Sequence, residues 1–321
     1  MLKKILETIK QYDSICIFGH TRPDGDCYGS QFGLQALLQE NFPEKQIYVV
    51  GESCDFASFL GKPLKEDEIS LDVIKNSLAI VVDCGSADRV SDQRYQESKY
   101  VIKIDHHIPT LLYGDLTYVV EEAPACAQLI TEFALENGLR INEKAAFALY
   151  TGIVTDTGRF RFRGVTEKTF KAAGALLTAG ADVEKLDNLL SVETLDIIHY
   201  KGYILANTEF TEHGACYIRI TRDVVEQYHL TDEEAASQVS LIGTIQGYPV
   251  YFLFMEYPNE IRIRLRSRGP RVDKLANLYG GGGHEKAAGA HLDSWDELEG
   301  FVHLADELVK YYNETGLDDL Y

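Results

Sequence analysis

The 321-residue sequence lacks long apolar runs and has little positive charge. No segment approaches the ~20 consecutive apolar residues of a membrane-spanning helix, so we expect no association with a membrane. The 31 Lys and Arg residues face 50 Asp and Glu residues, and the formal net charge is -19. Because long nucleic acids bind to basic surfaces, this balance argues against binding of long duplexes. A short anionic substrate suits the composition better, since a few local cations can attract it.

Cysteine is also scarce, and its positions form no recognisable motif. The six cysteines are scattered without a C-x-x-C pair, which argues against a disulfide framework. The chain contains no internal repeat and no low-complexity tract. Acidic and polar residues interrupt the first apolar positions, so residues 1–7 predict an amphipathic helix rather than a signal peptide. A reducing, cytoplasmic location is the expected setting.

The length and the hydrophobic fraction of 45% allow two packed cores. Alternating strands and helices in the first part predict an α/β fold with a doubly wound, mostly parallel sheet. The second part predicts a smaller α/β domain with a mixed sheet. We place the first domain at 1–190, a helical linker at 191–213 and the second domain at 214–321. The predicted strands are 14–19, 46–51, 78–83, 100–105, 116–121, 215–220, 249–256 and 260–267, and the main predicted helices are 29–40, 126–137, 143–154, 166–179, 182–190, 192–207, 272–279 and 295–312.

Four acidic or histidine-bearing segments are the most informative feature of the chain. Open α/β sheets place ligands at the carboxyl ends of their strands, and a buried carboxylate without a partner costs several kcal/mol. Each segment alone has an ordinary explanation, such as a capped turn or a helix terminus. Together they favour a pair of divalent metal ions. The first segment also contains Gly25, which we expect to let the loop turn sharply. The residues concerned are His20, Asp24 and Asp26, then Asp83, then Asp105, His106 and His107, and finally Asp156.

A second pattern lies near the end of the chain. Residues 261–268 alternate apolar side chains with arginines, which places the arginines on one face of a strand. That face predicts either a phosphate contact or a solvated surface, and we favour the solvated surface for Arg262 and Arg264. Residues 280–283 are four glycines, followed by His284. They predict a flexible loop whose amides can approach an anion closely.

The order of these motifs resembles the DHH phosphoesterase family. The resemblance rests on His-x-x-x-Asp-x-Asp at 20–26, a lone Asp83, Asp-His-His at 105–107 and Asp-Thr-Gly at 156–158. Gly-Gly-Gly-Gly-His at 280–284, followed by Ala-Ala-Gly, resembles the DHH-associated C-terminal domain. The resemblance covers nearly the whole chain, and the layout is most similar to the nanoRNase and pAp-phosphatase group.

The family resemblance also implies a role for each candidate residue. Asp83 would bridge two divalent ions. We expect these to be Mn²⁺, with Mg²⁺ as a weaker substitute, because the ligands mix carboxylate and imidazole. Zinc is less favoured, because no thiolate is placed as a ligand. Asp105 would orient a histidine ligand, and His107 would bind the scissile phosphoryl group. One ion would be held by His20, Asp24 and Asp83, and the other by Asp26, Asp83, His106 and Asp156. Substrate contacts would come from Arg266, Ser267, Gly282, Gly283 and His284, with Arg268 and Lys274 as lesser candidates.

The implied activity is hydrolysis of short oligonucleotides or linear dinucleotides such as pApA to mononucleotides, with pAp as a further substrate. The attacking group would be a hydroxide that bridges the two ions. Three alternatives stay open: a cyclic di-AMP phosphodiesterase, an inorganic pyrophosphatase or exopolyphosphatase, and a non-catalytic nucleotide sensor. The glycine segment with His284 argues against the pyrophosphatase, and the intact candidate ligands argue against the sensor. A homodimer is a further expectation.

Overall fold

The computed structural model of the protein describes residues 1–108, 113–162, 164–318 and 320–321. The chain divides into two compact units, Met1–Ser191 and Val192–Tyr321, and each unit has its own sheet. The predicted fold class is confirmed, with a parallel sheet in the first unit and a mixed sheet in the second. None of the helices in the described ranges has the length and the apolar character to cross a membrane.

The first unit contains a five-stranded sheet with the strand order β2-β1-β3-β4-β5, and all its strand pairs are parallel. The central strands are buried on both faces, which explains their Ile- and Val-rich sequences. The strands are β1 (Ser14–Phe18), β2 (Gln46–Val50), β3 (Leu78–Val82), β4 (Tyr100–Asp105) and β5 (Leu116–Val119). The helices are α1 (Leu2–Lys10), α2 (Gly25–Asn41), α3 (Leu71–Asn76), α4 (Cys126–Glu136), α5 (Glu143–Asp156), α6 (Glu167–Thr178) and α7 (Val183–Ser191).

The second unit contains a six-stranded sheet with the order β10-β11-β9-β8-β7-β6. Only the β7 and β8 pair is parallel among the described pairs of this sheet. Its strands are β6 (Glu209–Phe210), β7 (Ala215–Ile220), β8 (Val250–Glu256), β9 (Ile261–Ser267), β10 (Gly282–His284) and β11 (Ala287–Leu292). Its helices are α8 (Leu195–Asn207), α9 (Arg222–Gln227), α10 (Asp232–Ser237), α11 (Asp273–Leu278) and α12 (Leu298–Thr315).

The start of α2 differs from the prediction. The helix begins at Gly25 rather than near residue 29, because the Asp24 carboxylate caps it by accepting from the backbone N–H groups of Asp26 and Cys27 at 3.0 Å. The expectation that Gly25 forms a sharp turn is therefore wrong. A Cβ at this position would lie 2.5 Å from the Thr155 hydroxyl oxygen, so glycine is needed here for the close approach of α5.

Two further glycines of α2 extend this close contact. A Cβ on Gly29 would lie 2.5 Å from the carbonyl oxygen of Ala148, and a Cβ on Gly33 would lie 2.6 Å from the Leu149 side chain. Glycine inside a helix is unfavourable by about 1 kcal/mol relative to alanine, so three glycines at a spacing of four indicate a packing requirement. This stripe allows the backbones of α2 and α5 to approach closely.

The glycine segment of the second unit is only partly a loop. Gly282 and His284 belong to β10, where they pair with Gly289 and Ala287 of β11. A Cβ at Gly281 would collide with the backbone of Gly289. The glycines are therefore required for close approach of two chain segments, and the second half of the predicted loop, Gly282 and Gly283, belongs to a strand.

Candidate metal centre

The first cluster of candidate ligands surrounds His106, which directly follows β4. His106 Nε2 lies 3.2 Å from Asp83 Oδ1, 3.3 Å from Asp156 Oδ2 and 3.8 Å from Asp26 Oδ2. The other ring nitrogen, Nδ1, lies 3.0 Å from the carbonyl oxygen of Ala123. Because a carbonyl oxygen only accepts, this contact assigns the proton of a neutral ring to Nδ1 and leaves Nε2 able to bind a cation.

The second cluster surrounds His20. Its Nε2 lies 3.6 Å from Asp83 Oδ2 and 3.8 Å from Asp24 Oδ2. Its Nδ1 contacts the carbonyl oxygen of Thr21 at 2.9 Å, which fixes the same tautomer as in His106. The two histidines therefore approach opposite oxygens of the Asp83 carboxylate. This is the arrangement that a carboxylate shared between two ions requires.

Asp83 itself occupies an unusual position at the end of β3. Its φ of 55° lies in the left-handed region, which few residues other than glycine adopt. The residue is 2% exposed, and its Oδ1 has no hydrogen-bond donor among the described residues. A buried carboxylate oxygen without a donor is costly, and strained backbone of this kind is concentrated at functional sites. Both observations fit a carboxylate that binds a cation.

Asp26 is held by the N-terminus of α4. Its Oδ2 accepts a hydrogen bond from the Cys126 N–H at 2.6 Å, and its Oδ1 accepts one from the Ala127 N–H at 3.0 Å. The partial positive charge of a helix N-terminus favours a carboxylate there. The sequence analysis missed this contact. The available signal was Ala125 at the N-cap of α4, a residue whose side chain cannot cap the helix.

Asp105 connects a buried lysine to His107. Asp105 Oδ1 accepts from His107 Nδ1 at 2.8 Å and from the backbone N–H groups of His106 and His107 at 2.8 and 3.2 Å. Asp105 Oδ2 lies 3.1 Å from the Nζ atom of Lys103, which is 1% exposed. The hydrogen bond to Asp105 raises the pKa of His107. Sequence reasoning did not identify Lys103, because a lysine inside a predicted strand has no distinctive pattern.

The charges of the site favour cations. Burial, followed by the charge of Asp83, raises the pKa of Asp26 well above its usual value and raises that of Asp156 to about 6. Burial also opposes ionisation of Asp83, yet His106 and His20 outweigh it and lower the pKa of Asp83. The site therefore contains more buried carboxylate than its histidines neutralise. Divalent ions would supply the missing positive charge.

The spacing of the donor atoms also suits metal ions. Ligand atoms around one small divalent ion, each at about 2.1 Å from it, lie roughly 3 Å apart, close to the spacing around His106. Cys27 also lies near His20 and Asp83. Burial raises the pKa of the Cys27 thiol to about 12, so the thiol stays protonated and is a poor ligand. The donor set thus consists of carboxylates and imidazoles.

In the second unit, the arginines of β9 have different partners. Arg262 Nε lies 2.7 Å from Glu260, and Arg264 Nη2 lies 3.0 Å from Glu233, as expected of a solvated charged surface. Within the described part of the chain, the Arg266 guanidinium has no ion pair and donates only to the carbonyl oxygen of Leu265. Arg266 is therefore available to bind an anion.

The strand register brings Arg266 and His284 into one row. Both residues pair with Ala287 of β11, from opposite sides. Because directly paired residues project to the same face of a sheet, Arg266 and His284 share a face. Ser267 is 8% exposed, and its hydroxyl accepts from the Gly269 N–H at 3.0 Å, so this side chain already supports the following turn. Gly282 and Gly283 lie in β10 beside His284, whereas Arg268 follows β9 and Lys274 lies on α11, both exposed at the surface.

Known proteins resemble both units. The profile described as "DHH family, N-terminal domain" matches residues 14–153, and the "DHHA1 domain" profile matches residues 217–311. A Bacillus subtilis protein named bifunctional oligoribonuclease and PAP phosphatase NrnA is 39% identical over 97% of this chain and 99% of its own length. A Streptococcus mutans protein with the same name, qualified as probable, is 37% identical over 96% of this chain and 99% of its own length. An exopolyphosphatase-related protein of Bacteroides fragilis has the same fold, with a TM-score of 0.84, 23% identity and coverage of 97% and 96% of the two chains.

Proposed function

We propose that this chain, which belongs to the DHH family, is a metal-dependent phosphodiesterase that hydrolyses short oligonucleotides and linear dinucleotides to mononucleotides, and that it also removes the 3′-phosphate of pAp. The names of the relatives support this substrate class, since they match over nearly the whole chain. The observation that carries the chemistry is the position of Asp83, whose two oxygens face His106 Nε2 and His20 Nε2 at 3.2 and 3.6 Å.

The two clusters suggest how the residues divide between two ions. His20, Asp24 and Asp83 would hold one ion, and Asp26, Asp83, His106 and Asp156 the other. Bound divalent ions supply a nucleophilic water at neutral pH and neutralise charge on the phosphoryl oxygens. Mixed carboxylate and imidazole ligands favour Mn²⁺.

The remaining residues of the first unit orient the ligands and the substrate. Asp105 accepts a hydrogen bond from the Nδ1–H of His107 and so keeps Nε2 of that ring available to a phosphoryl oxygen. Lys103 supports Asp105 from the buried side. No side chain needs to act as a covalent nucleophile, because the chemistry of this class uses water.

The second unit would bind the rest of the substrate. Arg266 is free of ion pairs within the described residues, and with His284 it forms a row of phosphate-binding groups on one face of the sheet. Gly282, Gly283 and Arg268 are further candidates. We retain the division into a catalytic domain at 1–190, a linker at 191–213 and a substrate domain at 214–321, together with a cytoplasmic location and a homodimer, as proposals.

A substrate panel tests this function. Purified protein with Mn²⁺ is incubated with pApA, pAp, a 5-mer RNA, cyclic di-AMP and pyrophosphate, and the products are separated by chromatography. We expect AMP from pApA and pAp and mononucleotides from the 5-mer, with cyclic di-AMP and pyrophosphate the poorest substrates. The matched control is Asp83→Ala, which should be inactive towards every substrate because both clusters lose a shared ligand.

Hydrolysis of pyrophosphate alone would contradict the proposal and favour an inorganic pyrophosphatase. Preferential turnover of cyclic di-AMP would contradict the proposed substrate while leaving the reaction class intact. An absence of turnover and of bound metal would indicate a nucleotide sensor.

A further inference from the structure

The first unit has an open cavity of about 420 Å³ that borders the candidate metal ligands Asp24 and Asp156. We propose that this cavity is a nucleotide subsite, in which Phe56 stacks on the base of the nucleoside beyond the scissile phosphate. Arg161 would bind the next phosphate, which is present only in substrates longer than a dinucleotide. The inference rests on the proposed function, because that function places the scissile phosphate beside Asp24 and Asp156, which line the cavity.

Phe56 is an exposed aromatic ring on an anchored loop. The side chain lines the cavity and is 54% exposed, whereas Cys54 and Ala57 of the same loop are 7% and 0% exposed. The Ala57 N–H donates to the carbonyl oxygen of Cys54 at 3.2 Å, and the Ser58 hydroxyl donates to that of Asp55 at 2.8 Å. The loop is therefore held in place while its phenyl ring stays open to the cavity. Such a ring offers a stacking surface for any base.

Arg161 also lines the cavity and has free donors. Its Nε donates to the carbonyl oxygen of Gly158 at 2.8 Å, and its two Nη groups have no acceptor among the described residues. The neighbouring Arg159 is already neutralised, because its Nη1 lies 2.7 Å from Asp187. Arg161 is thus the free guanidinium of this cavity within the described chain, and a guanidinium binds phosphate oxygens well.

The segment that presents Arg161 has an unusual backbone. Gly158, Arg159 and Phe160 have φ values of 54°, 60° and 61°, so three consecutive residues lie in the left-handed region. For the two non-glycine residues this conformation costs roughly 1 kcal/mol or more each. The buried Thr157 hydroxyl holds the segment by accepting from the Phe160 N–H at 3.0 Å. This strained segment begins two residues after Asp156, so it connects the cavity lining to a candidate metal ligand.

Two substrates distinguish a role of this subsite from a role of the metal centre. A dinucleotide with its scissile phosphodiester at Asp24 and Asp156 must place one nucleotide on each side of that phosphate. The scissile group of pAp is a terminal phosphate, so no nucleotide lies beyond it. The cavity should therefore contribute to the hydrolysis of pApA and leave that of pAp unaffected.

The test compares the two substrates in cavity variants. We expect Phe56→Ala to raise KM for pApA about tenfold, the size of one base-stacking contact, and to leave kcat/KM for pAp within twofold. Arg161→Gln should raise KM for the 5-mer RNA and leave kcat/KM for pApA and pAp within twofold, because the nucleoside beyond the scissile phosphate of pApA carries no further phosphate. The matched controls are Phe210→Ala, an exposed phenylalanine on β6 of the second unit, and Arg140→Gln, an exposed arginine that pairs with Glu40. Neither control should change the ratio of kcat/KM for pApA to kcat/KM for pAp. Equal losses of kcat/KM for pApA and pAp in Phe56→Ala, or no loss for either substrate, would overturn the subsite.

A second readout does not depend on turnover. Protein labelled with 4-fluorophenylalanine is titrated with 5′-AMP in Mg²⁺ buffer, and the Phe56 signal is assigned by its loss in Phe56→Tyr. A ¹⁹F shift of Phe56, with an unchanged Phe210 signal, supports the subsite, and an unchanged Phe56 signal overturns it. If the wild-type protein hydrolyses neither pApA nor pAp, the proposed function fails, and this titration still decides whether the cavity binds a nucleotide.

Discussion

Single residues determine whether the site needs a cation, and Asp156 shows this most clearly. Burial and the nearby charge of Asp83 raise the pKa of Asp156 from 3.8 to about 6. In the metal-free protein, the folded state therefore holds this proton more tightly than the unfolded state does. The associated stability is complete below pH 4 and is lost as the pH rises through about 6. Above that pH the carboxylate is a destabilising charge until an ion binds to it.

We predict that Asp156→Asn reverses its effect on stability between metal-free and metal-loaded protein. In EDTA at pH 8, the variant should melt a few degrees above the wild type, because it removes a charge that costs about 1–2 kcal/mol after allowance for solvent screening. With Mn²⁺ at the same pH, the wild type should melt higher, because ion binding stabilises the folded state. Thermal melts at pH 4 and pH 8 check both statements. The same order of melting temperatures in EDTA and in Mn²⁺ at pH 8 would contradict this account of Asp156.

At the scale of elements, the packing of α2 against α5 positions the ligands of both helices. Asp26 lies in the first turn of α2, and Asp156 is the last residue of α5. The backbone contacts at Gly29 leave no room for a methyl group. Small residues at this contact therefore set the distance between two candidate ligands.

We predict that Gly29→Ala destabilises the protein by about 1–3 kcal/mol, the usual cost of overpacking, and lowers activity as the ligands move apart. Gly174→Ala on α6 is the matched control, because nothing lies within 4 Å of a Cβ there. It should be neutral or stabilising by up to ~1 kcal/mol, since alanine is the better helix former. Urea unfolding of both variants measures the difference. Equal effects at the two positions would show that the contact between α2 and α5 is not limiting.

The elements also show how far sequence reasoning reaches. The apolar runs of β1, β3 and β4 and the acidic residues after them were predictable, because burial on both faces leaves a clear composition. The start of α2 and the strand β10 were not, because the Asp24 cap resembles a loop motif and four glycines resemble a flexible segment. The contact of Asp26 with the N–H of Cys126 joins residues 100 positions apart, and no local pattern reveals it.

At the scale of the whole molecule, this acidic protein has a small number of arginines available to bind an anionic substrate. The net charge of -19 argues against a broad basic surface. Within the described residues, the Nη groups of Arg161 and Arg266 have no carboxylate partner. Short anionic substrates need only such local contacts. The sequence predicted two domains and this class of substrate, whereas the cavity beside Asp24 depends on a fold that brings residues 56 and 161 to one place.

The central claim is that the carboxylate and imidazole donors hold two divalent ions that share Asp83. The most direct measurement is a calorimetric titration of metal-free protein with Mn²⁺, together with the same titration of Asp83→Ala. We predict two ions per chain for the wild type and a loss of tight binding at both sites in the variant. Two tightly bound ions in Asp83→Ala, or none in the wild type, would contradict the account.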